Sequence, residues 1–222
     1  MTIAMVVCGS ICAPAARCEL VVLGFTGQVV DRVYDYFGVL DGKITVGDVV
    51  EIICTYDSSM PDSRPAQPSL GEYLYSSGGS GILLTVGDFE FATDSSNPDF
   101  RVLLSDNHLG RKHDSISLMS YNNRPLDSGL SVGFMFLDLR DSTGQLLSTD
   151  SLSAMPSLLD RWALAGRFGV EGDRTKGVEF SFNGQVTSAW VVPEPSSILV
   201  IGAGALLVRL SPVGRRRRKT IV

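Results

Sequence analysis

Gly81-Ile82-Leu83-Leu84-Thr85-Val86-Gly87-Asp88-Phe89-Glu90-Phe91-Ala92 decides the fold class. The run 81–86 is apolar, in part β-branched, and only six residues long, which suits a strand better than a helix. Gly87-Asp88 is a tight-turn pair, and 88–92 then resumes as a second strand. The segment therefore predicts two short strands joined by a sharp reversal.

The same grammar extends in both directions. Runs rich in Val, Ile, Phe, Tyr and Thr alternate with clusters of Gly, Asp, Asn, Ser and Pro. Predicted strands are 20–31, 49–56, 72–76, 81–86, 88–92, 100–105, 114–120, 131–138, 177–186 and 187–191. Strands at this spacing predict an all-β body over 19–191, an antiparallel, jelly-roll-like β-sandwich. One helical candidate interrupts it at 156–164, where Met155, Leu158, Leu159 and Trp162 follow helical spacing and Pro156 sits near a start. A loop is the alternative there.

Two echoes add spatial information. Phe25-Thr26-Gly27-Gln28-Val29 returns as Phe182-Asn183-Gly184-Gln185-Val186. First and last strands that match in this way are expected side by side, with the two ends of the body near each other. Thr45-Val46-Gly47-Asp48 returns as Thr85-Val86-Gly87-Asp88, and each Gly-Asp pair is expected to turn into a strand. Neither echo is long enough for a solenoid.

Charge separates the body from the ends. Between Glu19 and Val192 lie 12 basic and 23 acidic residues, a net charge of about −11. So acidic a body argues against nucleic acid as a partner, because phosphate contacts need a basic face. It fits an exported, solvated domain. A body of roughly 175 residues is one ordinary domain.

The two ends read as addresses. Residues 1–18 carry a short apolar run at 3–11 and then small residues, so cleavage after Ala15, Ala16 or Cys18 fits a secretion signal. No Lys or Arg precedes the run, so either the true start lies upstream or the free amine supplies the charge. A buried N-terminal strand is the competing reading. At the other end Val192-Pro193-Glu194-Pro195-Ser196-Ser197 leads into a wholly apolar run at 198–208 and then into Arg215, Arg216, Arg217, Arg218 and Lys219. The prolines hold the backbone extended and mark a domain exit. Residues 196–214 would span ~28 Å as a helix, close to one hydrocarbon thickness. The cationic block then stops transfer and stays cytoplasmic, which leaves the body outside the inner membrane.

This three-part tail, 192–219, resembles the PEP-CTERM sorting domain. The resemblance covers about the last 30 residues and rests on V-P-E-P-S, an apolar segment rich in Gly, Ala and Leu, and an Arg-rich end, in that order. It implies a substrate of an exosortase, a membrane enzyme with a catalytic cysteine, in a Gram-negative cell with an exopolysaccharide or biofilm system. Carried over by position, the recognition motif is Pro193, Glu194 and Pro195. Tyr56-Asp57, Tyr73 and Asp106-Asn107 also loosely resemble a body type found with such tails, to which no activity attaches. The tail departs from the pattern at Arg209, which interrupts the apolar segment, and at Pro212. An Arg near a helix end snorkels at modest cost. An ordinary membrane anchor with no processing enzyme is the alternative.

Candidate chemistry in the body is sparse. His108 and His113 are the only histidines, too few for a zinc site without paired cysteines. No G-x-S-x-G elbow singles out a serine. Asp94, Asp99, Asp106, Asn107 and Asp114 are calcium-ligand candidates by chemistry, and equally ordinary turn residues. Cys8 and Cys12 leave with the signal, and Cys54 is expected alone and buried unless Cys18 survives to pair with it. No small residue precedes Cys8, Cys12 or Cys18, so lipoprotein anchoring is not expected. Tyr34, Tyr36, Phe37, Tyr73 and Tyr75 offer a sugar-stacking surface, with core and edge positions as the favoured reading. The expectation is a non-catalytic cell-envelope or matrix protein with no resident cofactor. Its expected partners are an exosortase, the inner membrane and exopolysaccharide. A carbohydrate-binding module and, behind it, a secreted hydrolase are the alternatives.

Overall fold

The Gly87-Asp88 reversal forms as read. Strands β5 (Gly81–Val86) and β6 (Phe89–Ala92) pair antiparallel, with Val86 opposite Phe89. Gly87 alone in the loop has positive φ (56°), the II′ pattern that suits twisted strands. The echoed Thr45–Asp48 segment turns differently: Gly47 takes φ 101° at the third position, and the Asp48 carboxylate accepts the Thr45 N–H at 2.7 Å.

The computed structural model describes residues 20–31, 33–36, 38, 40, 42–107, 113–147, 151–159, 165–177 and 179–192. Its other strands are β1 (Leu20–Val29), β2 (Tyr34–Asp35), β3 (Val49–Asp57), β4 (Leu70–Tyr75), β7 (Phe100–Ser105), β8 (Asp114–Ser120), β9 (Val132–Asp141), β10 (Arg167–Gly172) and β11 (Phe180–Val191). They form one antiparallel sheet in the order β4-β7-β8-β9-β10-β11-β1-β3-β5-β6, with β2 beside β11. The fold is all-β and sandwich-like, but its two layers are parts of one continuous sheet that curls over itself.

Contacts between distant strands close the curl. Phe91 on β6 meets Phe180 and Phe182 on β11, with ring centroids 6.2 and 5.5 Å apart. Beyond β6, Thr93 bridges to Asn123, and its hydroxyl lies 2.8 Å from that of Ser120. The Tyr75 hydroxyl on β4 donates to the Asp57 carbonyl at the end of β3 at 2.9 Å. Between the layers lies one apolar cluster in which Phe25, Tyr56, Tyr75, Phe91, Phe100, Phe168 and Phe182 are fully buried. Each such ring contributes about 1.5–3 kcal/mol, and alternating outward residues leave the other face to solvent.

The first echo pairs as expected: β1 and β11 are neighbours, with Gln28 opposite Gln185 and Val29 opposite Gly184. Gly27 and Gly184 share one reason to be glycine, since a Cβ on either would overlap the Phe168 ring. The last described residue lies beside the start of the first strand, because the Val192 N–H donates to the Val22 carbonyl at 2.9 Å.

Four readings change. The pair 177–186 and 187–191 is one strand, β11, with an irregularity opposite Thr26/Gly27 where a boundary was expected. Strand β10 was not expected at all. Its Gly169 and Gly172 look like turn residues, yet Gly169 sits mid-strand because a Cβ there would run into Phe136 and Asn183. Where a helix was expected at 156–164, the described part is a 3₁₀ segment that begins earlier (Leu152–Leu158) and holds Pro156 in its interior, while 160–164 lie outside the described residues. Leu152 and Met155, three apart, are buried, as a three-residue period requires. The short pair β2 is also new.

Candidate functional site

The five calcium candidates do not converge. Asp99 and Asp106 flank β7 at opposite ends, ~20 Å apart for a strand of that length. Asp94 follows β6 and falls on the Asp99 side, because its N–H donates to Asn122 and the Tyr121 N–H donates to Asp99. Asp106, Asn107 and Asp114 share the other end, where Ser105 pairs with Ser115.

Each carboxylate also has a local duty. Asp94 accepts the Ser96 N–H at 2.9 Å and its hydroxyl at 2.6 Å, and these bonds hold its carboxyl below the usual range. Asp99 faces Arg101 at 3.2 Å, and Asp106 accepts from the Asn107 amide at 3.1 Å. Asp114 is fully buried. Its Oδ2 accepts the Leu146 and Leu147 N–H groups at 2.9 and 2.8 Å, and Oδ1 accepts that of Asn107 at 3.2 Å. Asn107 adopts φ 47° and donates its amide to the Gly144 carbonyl at 2.9 Å. This carboxylate therefore ties the β7–β8 connection to the segment after β9. Among the described residues no group of three or more His, Cys, Asp or Glu is placed to hold a metal.

His113 is half-buried just before β8, and His108 lies outside the described residues. Cys54 is buried in β3 as a free thiol, and burial pushes its pKa up, away from reactivity. Cys8, Cys12 and Cys18 lie outside the described residues. Three surface cavities of about 470, 310 and 240 Å³ are lined by described residues that include no histidine.

The predicted aromatic set divides. Tyr73 and Tyr75 point into the core from β4, whereas Tyr34 and Tyr36 are exposed at β2; Phe37 lies outside the described residues. Tyr73 and Tyr75 thus follow the core reading. A different group shares the outer face of β7 to β11. The register sets Arg101, Met119, Phe136, Gly169 and Asn183 in one row, and Phe134, Glu171, Ser181 and Tyr34 in the next. Tyr121 packs tilted against Phe134 (5.0 Å, 34° between planes) and Phe134 stacks on Phe136 (5.7 Å), with the Arg101 guanidinium 4.8 Å over Tyr121. The smallest cavity, lined by Tyr34, Arg174, Glu179 and Ser181, adjoins this face. Alternation within the strand expected at 131–138 sets Phe134 and Phe136 on one side, but nothing in the sequence aligns β9 with β10.

No family model, curated protein or solved structure matches this chain. Function therefore rests on the residues themselves.

Pro193, Glu194 and Pro195, expected as a sorting motif, the apolar segment and the block from Arg215 to Lys219 lie outside the described residues. Among the described residues no helix is long and apolar enough to cross a membrane. What the fold does give is the exit: β11 ends at Val191, two residues before Pro193, beside the first residues of β1.

Proposed function

We propose that this chain is an exported cell-envelope or extracellular-matrix protein, sorted by an exosortase that reads its C-terminal tail. In this reading residues 1–18 are a cleaved secretion signal and 19–191 a jelly-roll-like β-sandwich ectodomain with a non-catalytic, structural or interaction role. Residues 196–214 form one transmembrane helix, and Arg215 to Lys219 hold its end in the cytoplasm. Processing near Pro193-Glu194-Pro195 then frees the body to the surface or to a biofilm matrix. One observation carries the reading: Val-Pro-Glu-Pro-Ser, an 11-residue apolar run and a five-residue cationic block occur in that order. The end of β11 just before Pro193 is consistent with it, since a cut there would remove no strand.

The test replaces Pro193, Glu194 and Pro195 by alanine in the source cell. The account expects an unprocessed body that stays in the membrane fraction. Normal release of the triple variant would remove the motif from the mechanism.

A second reading, a carbohydrate-binding module on the same address, is favoured by the aromatic and polar rows on the outer face of β7 to β11. It ranks behind the first because Tyr121, Phe134 and Phe136 pack against one another, which leaves less ring face for a stacked sugar. Affinity electrophoresis of the full chain in gels holding acidic or neutral polysaccharides tests it. Retardation lost in Phe136→Ala and Tyr34→Ala would raise it to first place.

A further inference from the structure

Exposed large apolar side chains gather at the two tips of β1. Leu20 (45% exposed) stands at the end of β1, while Val191 (46%) and Trp190 (41%) lie opposite Leu23 and Gly24, about 10 and 13 Å back along the strand, on the half of β1 from which the tail departs. Val30, Val46 and Val49 share the opposite tip. A ten-residue strand separates the two by ~30 Å.

The exit end carries exposed apolar side chains on both faces of the sheet. Leu20, Val22 and Trp190 project from the outer face, and Val191 from the other. Trp190 lies opposite Gly24, and a Cβ there would overlap the indole. The glycine therefore lets the indole lie flat across β1 instead of standing into solvent. A half-exposed Trp with an apolar body and one N–H donor suits the layer between headgroups and acyl chains. Two acids flank this group across the ladder, Asp57 opposite Leu20 and Glu51 opposite Thr26, two residues from Gly24.

The tether selects between the two tips. Five residues lie between Val192 and Ile198, the first of the apolar run. Fully extended they bridge about 20 Å, and the two prolines keep them near that length. A bilayer that holds the tail therefore holds the exit tip within reach and leaves the valine tip beyond it.

We infer that Leu20, Trp190 and Val191 form a membrane-contact tip that seats the body on the phospholipid interface of the bilayer entered by its own tail. The inference rests on the membrane reading of 196–214. It gives the anchored precursor a fixed orientation, with the prolines of the motif held at the membrane surface.

The experiment uses the mature chain, residues 19–222 with the signal removed, carrying Trp162→Phe so that Trp190 is the one emitter, reconstituted in phosphatidylcholine vesicles with plain or brominated acyl chains. Flotation reports the anchor, and Trp190 emission reports the tip. The expected result is co-flotation with a blue shift and loss of emission in brominated lipid. Leu20→Ser/Val191→Ser, two exposed changes, is expected to float equally and to lose that quenching. Co-flotation with identical emission in both lipids would overturn the inference and leave the anchor standing. Quenching unchanged in the double variant would also overturn it, since the tether alone would then bring Trp190 close. Failure to float would overturn the anchor and the tip together.

Discussion

Replacing Asp114 by alanine removes one side chain and leaves three backbone donors without an acceptor. The N–H groups of Asn107, Leu146 and Leu147 all point at this carboxylate at 2.8–3.2 Å, and the residue is fully buried. A hydrogen bond to a charged group contributes about 1.5–3 kcal/mol, and a stranded buried donor costs about 1–3 kcal/mol. Partial relaxation brings the sum for Asp114→Ala to about 3–6 kcal/mol. Asp114→Asn keeps the shape and one acceptor oxygen, so it loses about 2–4 kcal/mol by the same reasoning. With a urea slope of about 2–3 kcal/mol/M, the alanine variant should unfold roughly 1–3 M earlier. A loss of that size takes a large part of the ~5–15 kcal/mol that a domain possesses. The assay is equilibrium urea unfolding followed by tryptophan fluorescence, with and without millimolar calcium. The structural reading expects the ordering wild type, Asn, Ala, and no movement of the wild-type midpoint with calcium. A calcium site would raise that midpoint by mass action and abolish the rise in Asp114→Asn. A calcium-dependent midpoint, or an alanine variant within about 0.5 M of wild type, contradicts the clamp.

Three further outcomes follow from the packing and the charges. Gly184→Ala sets a methyl against the buried Phe168 ring and the Gln28 carbonyl, whereas Gly169→Ala meets only the outward side chains of Phe136 and Asn183. The first should cost about 1–3 kcal/mol and the second less than about 1 kcal/mol; the reverse order in urea would contradict the packing. Hydrogen bonds from Ser96, Thr175 and Arg64 hold the carboxyls of Asp94, Asp173 and Glu72 below their ordinary values. A depressed folded pKa stabilises above the unfolded value and loses that stability as pH falls. The urea midpoint should therefore be flat above about pH 5 and fall as pH drops below the ordinary values of 4.5 for Glu and 3.8 for Asp. A midpoint unchanged down to pH 3 would show that these bonds contribute nothing to folding. Cys54 should resist thiol reagents in the native body and react fully in urea, and rapid native labelling would contradict its burial.

The sequence yields strands wherever apolar alternation ends at a turn pair, as in β5 and β6, whose boundaries it places to within one residue. It also yields the β1–β11 neighbourhood, because a repeated Phe-x-Gly-Gln-Val carries the same close-packing demand twice. It loses β10, since a glycine that makes room for a neighbouring ring and a glycine that turns the chain are the same letter. Acids crowded in sequence from Asp94 to Asp114 suggest one cation, but an extended strand runs between them and sends them to opposite ends of the molecule. The aromatic rows at Phe134 and Phe136 depend on register between strands about 30 residues apart, which local pattern does not encode. The tail is the reverse case: its reading needs only chain order.

The central claim is that 192–219 is a sorting signal that an exosortase removes, and intact mass tests it most directly. The native protein is fractionated and weighed from the source cell with and without that enzyme. The account predicts that the tail from about Pro193 onward is missing, with the body outside the cell membrane, only when the enzyme is present. A full-length tail in the inner membrane of both strains would make the segment a plain anchor and contradict the account.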